Sequence, residues 1–109
     1  MTAKRKPRND RTHIVYELTI GTATYVGVTA KTESTVDKSV RTRIAKHWYR
    51  AQTEGRKWLI CQALRTLKSR HDVQYRVLAT QRGKAPAHKI ERGLIAELNP
   101  VLNTDKRGM

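Results

Sequence analysis

THIVYELTIGTATYVGVT, residues 12–29, holds the reading that decides the fold. β-branched and aromatic residues dominate on both sides of Ile20-Gly21-Thr22, and that pattern broken by a glycine predicts two strands joined by a tight turn. Register then decides where Tyr16 and Tyr25 point, because a slip of one residue moves a side chain to the opposite face. With Ile20-Gly21 as the turn the tyrosines lie opposite each other. With Gly21-Thr22 they lie diagonally, and in both cases they share a face. A three-residue loop centred on Gly21 separates them. A shared face is the expectation.

Outward from the hairpin, residues 30–40 begin polar and turn-like, then pass into a helical pattern of Val36, Val40, Ile44, Trp48 and Ala51. Thr35 or Ser34 is the expected N-cap. Gly55 marks a break, and helical spacing resumes through Ile60, Leu64 and Leu67. Residues 72–80 alternate around Val73, Tyr75, Val77 and Ala79 and read as a third strand. Pro86 suits the first position of a final helix, expected to bury Ile90, Leu94 and Leu98. The order is β-β-α-α-β-α, an α/β chain of the α+β kind: a small three-stranded antiparallel sheet flanked by helices. Residues 1–11, with five basic side chains, read as a flexible basic arm and residues 12–109 as a single domain.

The chain carries 23 Lys and Arg against 9 Asp and Glu, a formal net charge of +14. Self-repulsion of that size disfavours compaction unless a polyanion offsets it, so nucleic acid is the leading partner. An anionic membrane is disfavoured, since no helix pairs a clean basic face with an apolar aromatic one. A lone cysteine, Cys61, forms no internal disulfide, and no apolar run approaches a membrane span or a secretory signal. The expectation is an intracellular, cytoplasmic protein, whether nucleoid-associated or acting within an infected host cell.

Several residues carry chemistry, each with a plainer explanation beside it. Arg43 and His47 are four apart and point within about 40 degrees of each other on a helix, with Arg50 continuing the line. That stripe is either a solvated basic face or an anion clamp in which guanidinium groups hold phosphate oxygens and an imidazole relays a proton. Tyr16 and Tyr25 are either a cross-strand packing pair or two hydroxyls converging on the clamp. Trp48 and Trp58 read as core or rim packing rather than base-stacking platforms.

Glu91, near the start of the final helix, is either a partner for the helix dipole or a metal ligand. Being one residue from Ile90, its carboxylate should emerge at the edge of the sheet-facing side. A hard ion such as Mg2+ needs only one or two carboxylates, with water and substrate phosphate completing its shell. Asn103 is either a turn residue or, if Val101 and Leu102 pack back on the domain, a group held under the sheet edge. Neither a glycine-rich phosphate loop nor zinc-like histidine spacing competes.

Together these residues resemble the GIY-YIG endonuclease family. The likeness runs from Ile14-Val15-Tyr16 through Tyr25-Val26-Gly27 to Arg43-Ile44-Ala45-Lys46-His47, then to Glu91 with Leu94-Ile95, and ends at Pro100-Val101-Leu102-Asn103. Ile14 stands where the family's first half-motif has glycine. The long stretch from Ala30 to Ser39 leaves Arg41 beside Arg43 as a candidate, with the Arg-x-x-x-His spacing favouring Arg43.

The resemblance implies hydrolysis of DNA phosphodiester bonds with one divalent metal, Mg2+ or another such as Mn2+, held by Glu91. It implies that Tyr16 or Tyr25, with Tyr16 the first choice, orients or deprotonates the attacking water together with His47. Arg43 would stabilise charge on the phosphoryl oxygens, while Gly27 and Asn103 support the site. Double-stranded DNA would meet Lys4, Arg5, Lys6, Arg8, Arg41, Lys46 and Arg50, and a homodimer or partner protein would add specificity. The alternatives are a non-catalytic nucleic-acid-binding protein that keeps the nuclease fold, and a basic protein for structured RNA or the ribosome.

Overall fold

The computed structural model describes residues 11–53 and 59–103. Lys4, Arg5, Lys6, Arg8, Gly55 and Trp58 lie outside them. Within them the chain forms a three-stranded antiparallel sheet in the order β2-β1-β3, with β1 spanning Thr12–Ile20, β2 Ala23–Ala30 and β3 Gln74–Arg82. Three helices accompany it: α1, Val36–Thr53; α2, Leu59–Arg65; and α3, Lys84–Leu98. The expected order β-β-α-α-β-α is what the structure shows, with one 3-10 turn, Arg70–Asp72, before β3.

The first strand is central because both its edges are paired and both its faces are covered. Ile14, Tyr16 and Leu18 are 1% exposed or less, and so is Val15 on the opposite side of the pleat. The turn is Gly21-Thr22, where Gly21 takes φ +64, a positive φ that glycine adopts without strain in a two-residue hairpin loop. Tyr16 therefore lies opposite Gly27 and Leu18 opposite Tyr25, so the tyrosines are diagonal neighbours on one face.

Thr35 is the N-cap of α1, its hydroxyl accepting from the Lys38 N–H at 3.1 Å. Ile14, Tyr16 and Leu18 join Val40, Ile44 and Ala51 of α1 and Ile60 and Leu64 of α2 in one core, with Trp48 packed partly against it. Fully burying an aliphatic side chain of this kind contributes about 1.5–3 kcal/mol.

The third strand departs from a simple alternation. Val15 pairs with Ala79 but Tyr16 pairs with Val77, so Leu78 is an extra residue in a bulge. Ala79 consequently shares a face with Val15, and not with Val77. The strand also begins at Gln74, because residues 70–72 turn first: the Ser69 hydroxyl accepts from the His71 N–H at 3.1 Å.

The last helix differs from expectation in start and phase. It begins at Lys84, which puts Pro86 third, still within the first turn where a missing N–H costs nothing. Its buried positions are Ala87 and Glu91, Ile90 and Leu94 are only half-buried, and Leu98 is 38% exposed. The inner face is thus rotated from the Ile90, Leu94, Leu98 line. This helix touches all three strands. It stops at Asn99, whose φ of 50 is left-handed and whose N–H bonds the Ile95 carbonyl at 2.9 Å, followed by Pro100. Among the described residues no helix is long and apolar enough to cross a membrane.

Candidate active site

Tyr16 sits on the central strand with its side chain wholly inside the protein, 1% exposed. Its hydroxyl lies 3.1 Å from Nε2 of His47, which reaches across from α1. The Tyr25 ring meets the His47 ring edge-on, with centroids 5.6 Å apart. Helix α1 lies against β1 and β2, so a residue one turn beyond Ile44 on the flank of the packed face is carried to the tyrosines.

Burial pushes the Tyr16 phenol well above its ordinary pKa, because the phenolate would lose its hydration. Tyr25 adds to the rise, the Arg43 guanidinium opposes it by charge and hydrogen bonding, and the Glu91 carboxylate adds a further increase. The Tyr16 hydroxyl therefore lies in the fields of an arginine from α1 and a carboxylate from α3. At neutral pH it is a phenol, able to donate to His47.

The glycine facing Tyr16 is a packing requirement. A Cβ at Gly27 would stand 2.8 Å from the Tyr16 hydroxyl oxygen and 2.9 Å from Cε2 of Tyr25. Both rings are buried, so neither has room to retreat. Asn103 holds the same strand from outside. Its Oδ1 accepts from the Val26 N–H at 2.8 Å and its Nδ2 donates to the Val26 carbonyl at 2.9 Å, satisfying an edge-strand residue as a neighbouring strand would. Val26 lies between Tyr25 and Gly27, so the clamp fixes the segment that carries both.

Glu91 is 7% exposed, at the centre of the packed face of α3, and not at its edge as its position beside Ile90 suggested. Its Oε1 lies 3.1 Å from Nδ1 of His88. Among the described residues, no three or more His, Cys, Asp or Glu gather as a metal-holding group. Among the described residues Glu91 is the carboxylate whose field reaches Tyr16, and one carboxylate suits a hard divalent ion that draws its other oxygens from water and a substrate phosphate.

The two candidate arginines of α1 separate cleanly. Arg41 is mostly exposed and ion-paired with Asp37 at 3.3 Å, beside a cavity of about 550 Å3 that Lys38, Arg70 and Tyr75 also line. Arg43 is turned toward Tyr16, and its Nε is buried without a hydrogen-bond partner. Arg50 does not continue the line of Arg43 and His47 into the site; with Lys46 it flanks Tyr49, 66% exposed, in an open groove. The structure thus gathers Tyr16, Tyr25, Arg43, His47 and Glu91, supported by Gly27 and Asn103, and leaves Arg41, Lys46 and Arg50 on other surfaces. His88 was not among the expected site residues, although it stands three residues before Glu91, a spacing that puts both on one helix face. No family model matches the chain, and neither does any curated protein or solved structure.

Proposed function

We propose that the chain is a divalent-metal-dependent DNA endonuclease of the GIY-YIG type. The observation that carries this reading is the Tyr16 hydroxyl, held by His47 and set within the fields of Arg43 and Glu91. A phosphodiester needs a cation for its oxygens, a positioned water and a proton acceptor, and these residue types provide them. The chain's formal charge of +14 supports a polyanionic partner, and duplex DNA is the one proposed.

Glu91 would hold Mg2+ or Mn2+, which when bound supplies positive charge to the phosphoryl oxygens. Arg43 would bind those oxygens from the α1 side through its guanidinium group. A water oxygen attacks phosphorus in line, and the opposite P–O ester bond breaks, its electron pair leaving with the ester oxygen. Because burial keeps Tyr16 protonated, the phenol acts as a relay: it takes the proton of the water as its own passes to Nε2 of His47. This requires His47 neutral, with its ring proton on Nδ1.

Supercoiled plasmid incubated with the purified protein, with Mg2+ and then with EDTA, tests the proposal. Nicked or linear product with the metal alone supports it. Tight, salt-sensitive binding with no product under either condition supports the non-catalytic nucleic-acid binder, and preference for structured RNA in competition supports the RNA reading.

A further inference from the structure

Beside the candidate site lies a pocket of about 270 Å3 where the start of β1 meets the start of α3. Arg11, His13, Arg43, Lys84 and His88 line it, and among the described residues no carboxylate does. It shares one wall with each half of the site: Arg43 acts on the Tyr16 phenol, and His88 bonds Glu91. Three cationic side chains around one cavity repel one another unless an anion enters.

The pocket is also fixed in shape. The Arg11 carbonyl accepts from the Gly83 N–H at 2.9 Å and from Nδ1 of His13 at 2.8 Å. A carbonyl only accepts, so Nδ1 of His13 carries a proton. His13 is 6% exposed, and these bonds tie the residues before β1 to those opening α3. Arg11 and Lys84 are thereby brought to the same rim, where their chains need little further ordering to meet a ligand.

We infer that this pocket binds the phosphate next to the scissile one on the cleaved strand. The inference rests on the nuclease reading for the word scissile. Its chemistry is that of a nucleic-acid phosphate: a monoanion held by cations that adjoin the reacting site through Arg43 and His88. Arg11 and Lys84 grip it, and Arg43, reaching both the pocket and Tyr16, bridges the two phosphates.

The test uses the full chain with Arg11→Gln and Lys84→Gln combined, which removes two charges and keeps their stems. A control, Lys89→Gln with Arg92→Gln, removes two exposed charges of α3 outside the pocket. Binding to a fluorescent duplex is measured against KCl concentration in EDTA. The pocket variant should lose about 0.9 in the slope of log K against log salt, one phosphate's worth, while the control moves it less. With Mg2+ its KM should rise about tenfold at nearly unchanged kcat, as for lost uniform binding. Equal slopes for the pocket variant and wild type, or an equal loss in the control, overturn the subsite. A wild-type protein that cuts nothing defeats the nuclease reading alone, because the slopes still decide whether the pocket holds a phosphate.

Discussion

The Tyr16 hydroxyl and His47 Nε2, 3.1 Å apart, join the central strand to α1 across 31 residues of chain. The contact pairs a phenol that burial keeps protonated with an imidazole that can take its proton. Tyr16→Phe and His47→Ala should each lower single-turnover cleavage by about 10²–10⁴-fold, the usual worth of positioned proton transfer. Losing the hydrogen bond should cost stability only about 1 kcal/mol. Urea denaturation beside the cleavage assay separates the two effects.

Gly27→Ala should damage site and fold together. The new methyl would press on both buried tyrosine rings, an overpacking that costs about 1–3 kcal/mol. A lowered urea midpoint with unchanged m-value, and cleavage reduced more than tenfold, is the expected result. Wild-type stability in this variant would contradict the close approach of Tyr16 to Gly27.

Asn103→Ala leaves the Val26 N–H and carbonyl without partners, at about 1–3 kcal/mol for each buried group left unpaired. Hydrogen exchange should report it locally, with faster exchange at Val26 and its neighbours in β2 than at the centre of β1. Uniform exchange across the sheet would mean that Asn103 does not clamp this edge.

The raised phenol pKa makes a signed prediction about alkaline stability. In the unfolded chain Tyr16 loses its proton near its ordinary value of about 10, whereas the folded chain retains it to higher pH. Above that value the folded state binds more protons, so stability falls as pH rises. Wild type should therefore lose stability between about pH 9.5 and 11.5 more steeply than Tyr16→Phe. Tyr75, whose phenol is also raised by burial and by its bond to Asp37, keeps part of the slope in both proteins. Identical slopes in the two would contradict the burial of an ionisable Tyr16.

Much of this arrangement is legible in the chain itself. The hairpin follows from β-branched runs around Gly21, and either two-residue turn puts the tyrosines on one face; packing decides between the turns. The bulge at Leu78 has no such mark, since neither glycine nor proline interrupts β3. The phase of α3 is hidden for a different reason. Ile90, Leu94 and Leu98 form an apolar line, yet the inner positions go to Ala87 and Glu91. A carboxylate placed inside at the expense of a leucine breaks the hydrophobic pattern, and such breaks concentrate where a fold builds a site. Between Arg41 and Arg43 the Arg-x-x-x-His spacing already favours Arg43, and in the structure Arg41 is exposed and paired with Asp37 while Arg43 faces Tyr16.

The central claim is that Glu91 serves the chemistry through a metal and is not needed to hold the DNA. Duplex binding and Mg2+-dependent plasmid nicking, measured on the same preparations of wild type and Glu91→Ala, test it most directly. The account predicts nicking abolished and DNA affinity retained or raised, because one negative charge leaves a strongly cationic protein. Nicking by Glu91→Ala at the wild-type rate would contradict it.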